Sequence, residues 1–204
     1  MIYDRDYFDR YVALRGTPIA LRLNALRVAL VEKYCTRGIL DVGIGSGEFI
    51  ERILWETDLP VAGYDINPHG ISWLRGHGLW CDPWRGWPPW IDGVTLWDVL
   101  EHMPEPRAFL QIIPAGTFLF LSLPILPNRA RLCKWKHHKP GEHLWHWTDR
   151  ELFDFVCHED FYFLESNDEE TLAGREDIKT YVFLRVANRA EYNRVAEAAL
   201  PGSR

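Results

Sequence analysis

Apolar positions along this chain switch between two spacings. After Thr17-Pro18, a capping residue and a proline suited to a first helical turn, Ile19, Leu23, Leu26 and Leu30 recur at helical intervals up to about Tyr34. Short unbroken apolar runs then alternate with helical stretches. Gly38–Val42 reads as a buried strand, Gly47–Glu56 as a helix, Leu59–Tyr64 as a second strand and Pro68–Arg75 as a second helix. Leu79–Cys81 predicts a short third strand, and DPWRGWPPW after it holds too many prolines for regular structure. Gly93–Trp97 reads as the fourth strand, Pro106–Ile113 as a short helix and Thr117–Leu121 as the fifth strand. An irregular basic-aromatic stretch, about Pro124 to Trp147, leads to a helix over Thr148–Cys157, where Thr148 and Glu151 have capping-box spacing. Phe161–Glu165 and Thr180–Val186 finish as strands.

Alternation of this kind predicts an α/β fold: a doubly wound, mostly parallel sheet with helices on both faces. Two late strands in succession predict a closing hairpin and one antiparallel edge strand. No internal repeat or low-complexity linker divides the 204 residues, so a single domain over 1–204 is expected, residues 1–36 forming an N-terminal cap and helix.

Composition narrows the class. With 47% apolar and 25% charged residues the chain can build an ordinary core, and its net charge of −6 argues against a protein that coats nucleic acid. Cys35, Cys81, Cys133 and Cys157 are scattered, the pattern of a reduced protein rather than a disulfide scaffold. No apolar run approaches the roughly 20 residues of a membrane span, and the opening MIYDRDYFDRY is no signal peptide. The expectation is a cytoplasmic protein with no membrane partner.

The chemistry concentrates in Asp41-Val-Gly-Ile-Gly-Ser-Gly47, which follows a predicted strand and opens a predicted helix. Gly43 and Gly45 let the backbone turn tightly and approach a ligand with no Cβ in the way, and the N–H groups of the next helix offer donors. A dinucleotide site wants a third glycine where Glu48 stands, which would set a negative charge beside a pyrophosphate. About twenty residues on, Asp65 ends the second strand, where an acid can accept both hydroxyls of a ribose. A phosphate-free adenosyl ligand fits this combination better than NAD.

These residues resemble the class I S-adenosylmethionine-dependent methyltransferase family over roughly residues 20–186. DVGIGSGEF is similar to its first motif, GYDINP to its acid-bearing second, and WDVLEHMPEP to the D-x-L-E-H stretch after the fourth strand. GEHLWHWT resembles the His-containing segment of small-molecule O-methyltransferases, and Asn24-Ala-Leu-Arg27 the N-x-L-R of the ubiquinone-biosynthesis O-methyltransferases. The resemblance implies a seven-stranded sheet with its last strand antiparallel. It implies S-adenosylmethionine as cofactor, S-adenosylhomocysteine as product, and cofactor contacts at Arg27, Asp41, Gly43, Ile44, Gly45, Asp65, Ile66, Asp82, Trp97 and Asp98. Among these, Arg27 would meet the methionine carboxylate and Asp82 the adenine amino group.

Methyl transfer needs alignment more than acid–base power, yet a hydroxyl acceptor must lose a proton, and histidine suits that near neutral pH. His102 and His143 are the candidate catalytic residues; Glu101 precedes His102, but neighbours on a helix do not face each other. The insertion 124–147 should border the acceptor, with Arg129, Lys134, Lys136, Trp145 and His146 as candidate contacts to a small, possibly anionic molecule. Trp135, Trp145 and Trp147 can pave a stacking wall, and Tyr3, Tyr7 and Tyr11 can close over the cofactor. Cys133, His137, His138, His143 and His146 include zinc-ligand types without the paired spacing of a structural site, so no metal is expected. Two other functions compete: an NAD-dependent oxidoreductase, opposed by Glu48 and the D-x-L-E-H stretch, and a non-catalytic S-adenosylmethionine- or nucleic-acid-binding module, opposed by the acidic charge.

Overall fold

A computed structural model describes residues 5–187. Two helices, α1 (Arg5–Leu14) and α2 (Pro18–Tyr34), precede β1 (Ile39–Val42), α3 (Glu48–Glu56), β2 (Val61–Tyr64), α4 (Pro68–Gly76) and β3 (Gly93–Trp97). A 3₁₀ turn at Leu100–His102 leads to α5 (Pro106–Ile112) and β4 (Phe118–Pro124). After a second 3₁₀ turn, Arg129–Lys134, come α6 (Asp149–Cys157), β5 (Phe161–Asn167), α7 (Glu169–Leu172) and β6 (Ile178–Arg185).

The strands form one sheet in the order β2-β1-β3-β4-β6-β5. Neighbours from β2 to β4 run parallel, and β6 pairs antiparallel with both β4 and β5, Leu121 standing opposite Tyr181. Alternation along β4 shows why both faces are covered. Leu119, Leu121 and Leu123 pack with Phe109 and Leu110 of α5 and Leu152 and Val156 of α6. Phe118 and Phe120 pack on the other face with Val28 and Val31 of α2, Ile50 and Ile53 of α3 and Leu74 of α4.

The expected α/β sheet is present, with six strands instead of seven among the described residues. The missing strand is Leu79–Cys81. Trp80 makes a single bridge to Gly63, through Gly63 N–H to the Leu79 carbonyl (2.8 Å) and Cys81 N–H to the Gly63 carbonyl (3.0 Å). Pro83 follows, with no N–H to continue a ladder. The antiparallel strand, β6, lies one place in from the edge, because the returning hairpin inserts it between β4 and β5. α1 was not legible as a helix in its mixed charged and aromatic residues.

The expected caps form. Thr17 Oγ1 accepts from Ala20 N–H (3.3 Å) with Pro18 at the first helical position. Thr148 and Glu151 make the reciprocal capping box that starts α6, Thr148 N–H donating to Glu151 Oε2 at 2.8 Å. Thr148→Ala should therefore lower stability by about 1 kcal/mol, read as a shifted midpoint in urea unfolding. An unmoved midpoint would mean that the box adds nothing to the docking of α6.

Candidate functional site

A cavity of about 390 Å³ opens beyond the carboxyl ends of β1, β2 and β3, the place where sheets of this type bind ligands. The glycine loop forms its floor. Gly43 has φ +76°, and a Cβ there would stand 2.4 Å from Val99 Cγ2. Gly45 has φ +55°, and its hypothetical Cβ would touch the Tyr11 ring at 3.4 Å. Only glycine meets both demands at Gly43, left-handed backbone and no room for a side chain.

The polar wall is preorganised. Asp65, 8% exposed at the end of β2, accepts the Asn67 N–H at 2.7 Å. Burial raises its pKa, and backbone N–H groups from Asn67, Ile66, Ile44 and Gly45 work against that rise. Asn67 in turn caps α4, its side chain accepting from His69 N–H at 2.9 Å. Asp41 lies beneath the loop, buried, and accepts from Thr95 Oγ1 at 2.6 Å. Burial pushes its pKa up to about 7 against that hydrogen bond.

Trp97 and Asp98 close the end of β3. Asp98 is held in a left-handed turn (φ +59°), its N–H donating to the Ser122 carbonyl at 2.7 Å. Its carboxylate accepts from Arg175 Nη2 at 2.8 Å and faces Arg27 Nη2 at 3.5 Å. Burial alone would raise the Asp98 pKa, but the two guanidiniums, Arg175 foremost, bring it below the ordinary value. Glu170 completes the cluster, accepting from Arg27 Nε at 2.7 Å and from Arg175 Nη1 at 2.5 Å. Arg27 also stacks over the Trp97 ring at 4.9 Å.

The N-terminal segment is latched to the loop from outside. Gly16 N–H donates to Glu48 Oε1 (3.0 Å), Arg15 Nη1 to the Ser46 carbonyl (3.1 Å), and Arg15 also pairs with Glu51. Phe8 and Tyr11 of α1 thereby line the cavity, with Trp84, Met103 and Phe109 on other sides. Tyr3 and the Tyr7 side chain lie outside the described residues.

At the far end stands the Leu100–His102 turn. His102 lines the cavity, and its Nδ1 donates to the Glu142 carbonyl at 2.8 Å. The Glu101 carbonyl accepts from both Leu144 N–H (2.9 Å) and Trp145 N–H (3.1 Å), while Trp145 Nε1 donates to the Met103 carbonyl (2.9 Å). This lacing places His143 against His102, ring centroids 4.7 Å apart and nearly perpendicular. In a 3₁₀ turn the neighbours do approach, contrary to the helical argument: Glu101 Oε1 is 3.9 Å from His102 Nε2. Burial lowers the pKa of His102; burial and then the adjacent His102 lower that of His143, to about 4.

Of the residues singled out in the sequence, Gly43, Gly45, Asp65, Ile66, Trp97, Asp98 and His102 share this cavity. Ile44 turns into the core beside α3. Asp82 accepts from Trp84 N–H at 3.1 Å in a turn and lies 3.4 Å from Arg85 Nε, outside the cavity lining. The basic segment is placed elsewhere. Arg129 donates to Glu151 (2.6 and 2.9 Å), Lys136 to Glu176 (2.7 Å), and Lys134 is exposed. Trp145 stacks flat on Trp147 (5.8 Å, 7°), Trp135 is buried with Nε1 on Asp177 (2.7 Å), and His146 packs edge-on against Trp135 and His138. None of these lines the cavity. Arg175, Glu170 and Phe8 were missed; each reaches the site through tertiary packing that no local pattern announces.

A methyltransferase-domain family matches residues 24–162 of the chain. The chain is similar to the ubiquinone biosynthesis O-methyltransferase of Idiomarina loihiensis, 24% identical over 123 residues, 50% of this chain and 50% of that protein. The chain thus spans about half the length of the curated relative it matches. It is also similar to a chain of the complex between the Haloferax volcanii Trm112 methyltransferase activator and a methyltransferase (TM-score 0.63, 15% identity, 91% of this chain and 98% of that one). A third likeness is to an S-adenosylmethionine-dependent methyltransferase from Clostridium acetobutylicum (TM-score 0.60, 10% identity, 88% and 99% covered). At these identities the solved structures speak for the fold.

Proposed function

The chain belongs to this methyltransferase-domain family, and from that premise we propose that it moves the sulfonium methyl of S-adenosylmethionine to a hydroxyl of a small molecule with a flat, apolar body. The observation that carries the reading is one continuous cavity, within the size range of small-ligand sites, running from the glycine loop and Asp65 to His102. The residues fit the cofactor: a Cβ at Gly43 would fill the cradle, and Asp65 offers a buried acceptor for ribose hydroxyls without a phosphate-binding partner.

S-adenosylmethionine supplies an electrophilic methyl on a positively charged sulfur. The protein's part is alignment, with the glycine loop and Asp65 holding the adenosyl end and Trp97 and Asp98 the wall beside it. Phe8, Tyr11, Met103 and Phe109 offer the acceptor an apolar seat that keeps water out. When bound, the cofactor would give that methyl to the acceptor oxygen and leave as a neutral thioether, and the hydroxyl would have to lose its proton. His102, which lines the cavity, serves that deprotonation, with His143 packed against it. An anionic acceptor has less support than the charge run suggested, since Arg129 and Lys136 are already paired with acids away from the cavity.

Asp65→Ala should weaken S-adenosylmethionine binding by roughly 2–3 kcal/mol, the scale of a lost charged hydrogen-bond partner, while nicotinamide dinucleotides bind neither form. Calorimetry on folded variant and wild type tests this. Equal cofactor affinities would remove Asp65 from the site, and tight NAD binding to the wild type would end the methyl-transfer reading.

A further inference from the structure

Glu101 buries a carboxyl group that its surroundings do not solvate. It is 2% exposed, and among the described residues neither side-chain oxygen has a hydrogen-bond partner. An ionised carboxylate in that position is costly unless a cation meets it. Two imidazoles stand beside it, with the charges of Asp98, Arg175 and Lys139 also acting on it. Donor atoms of Glu101, His102 and His143 all lie within 4.8 Å of one another.

We propose that Glu101, His102 and His143 form a divalent transition-metal site of the kind zinc occupies, set in the wall at the acceptor end of the cavity. Two imidazoles and one carboxylate make the donor set of open, catalytic zinc centres, which leave a position for water or substrate. Magnesium and calcium prefer oxygen ligands throughout. Bonds of about 2.0–2.2 Å would bring the donors to roughly 3.4 Å apart, a contraction that side-chain rotations can supply.

The support around the cluster is that of a ligand set. His102 Nδ1 is committed to the Glu142 carbonyl at 2.8 Å, which leaves Nε2, the nitrogen facing Glu101, with its lone pair. Metal-bound histidines characteristically donate their other N–H in this way. His143 is 6% exposed and held against His102, ring centroids 4.7 Å apart. Backbone hydrogen bonds from Leu144 and Trp145 to the Glu101 carbonyl hold the two contributing segments together with no need of an ion. Of Cys133, His137, His138, His143 and His146, the zinc-ligand types clustered in the insertion, only His143 belongs here; Cys133 is exposed, and His137 bonds the Glu176 carbonyl instead.

The assignment rests on the methyl-transfer reading for its purpose. His102 lines the cavity, so the ion's open position would reach the acceptor oxygen. Coordination lowers the pKa of that hydroxyl; its proton leaves to water, and the oxygen that remains takes the methyl while the carbon–sulfur bond breaks. His102 and His143 would then serve deprotonation through the ion rather than as free bases.

Binding decides it without any acceptor. The full chain, stripped with chelator, is titrated with Zn²⁺ by calorimetry and with Co²⁺ by visible absorption, alongside Glu101→Gln and His143→Ala. Melting curves confirm that each variant is folded. One ion per chain is expected, with the ligand-field bands of a low-symmetry Co²⁺ site. Each substitution should weaken it about 10–100-fold or more, while Glu101→Gln binds S-adenosylmethionine as the wild type does. Absence of stoichiometric binding, or binding indifferent to both substitutions, overturns the site. Should one variant fail to fold, the other and the wild-type Co²⁺ spectrum decide. Cofactor binding without the ion defeats this inference and spares the methyl-transfer reading; ion binding without cofactor does the reverse.

Discussion

Arg175→Ala is expected to cost the fold about 3–5 kcal/mol, the loss typical when one partner of a buried ion pair is removed. Arg175 bridges Asp98 and Glu170, and the Glu170 side chain is only 2% exposed. Without it the two carboxylates share Arg27 alone, whose Nη2 is 3.5 Å from Asp98. One acid is then left underpaired in a poorly solvated place. The matched control is Arg129→Ala. Its partnership with Glu151 is also a two-armed hydrogen bond, but both side chains are largely open to water (52% and 41%). Such pairs are worth about 0–1 kcal/mol. Urea unfolding of the two variants compares identical chemistry at different burial. Similar small losses from both would mean that the Arg27–Arg175–Asp98–Glu170 cluster is solvated well enough to behave as surface. Arg175→Lys should fall between wild type and alanine, since it keeps the charge and loses the fork.

Raising the pH from 4 to 8 should destabilise the cofactor-free protein through Asp41 by a few kcal/mol, on the order of 4. The unfolded chain releases this proton near pH 3.9, whereas the folded chain holds it to about 7. Between those values the native state binds the extra proton, so stability falls as pH rises, at about 1.4 kcal/mol per unit. The contribution is complete below pH 4 and lost once the pH has passed through 7. Asp41→Asn keeps an oxygen for the Thr95 hydroxyl and cannot ionise. Unfolding free energies of wild type and variant, measured across this range, should therefore converge or cross as pH increases. Parallel curves would show that the ionised carboxylate is tolerated under the glycine loop.

What was legible in the sequence follows the range of the interactions involved. Thr17, Pro18, Thr148 and Glu151 act on their own turns, so their roles could be read directly. That Gly43 and Asp65 would share one cavity was readable because strand, turn and acid follow at a fixed spacing. Leu79–Cys81 misled because an apolar triplet says nothing about the proline that stops its ladder. The basic run misled for a deeper reason. The partners of Arg129 and Lys136 stand 22 and 40 positions away, so a cluster of cations in sequence is a set of separate pairs in space. Arg27 was visible as an arginine near the site, while its bonds to Glu170, 143 positions on, were not. Glu101 was discounted on helical geometry, and the chain makes a 3₁₀ turn there.

The insertion of β6 between β4 and β5 also governs the order in which this protein can assemble as it leaves a ribosome. Strand β4, Phe118–Pro124, is buried along its whole length, and its outer edge is matched by residues 178–184. Some sixty residues must therefore be added before that edge is paired, whereas β1, β2 and β3 have their neighbours early. Contacts of such separation form late, and an unpaired apolar edge is a template for another chain. Slow translation or truncation between α6 and β6 should thus yield aggregates rather than a stable half-domain, making this stretch the one where nascent chains most need a chaperone.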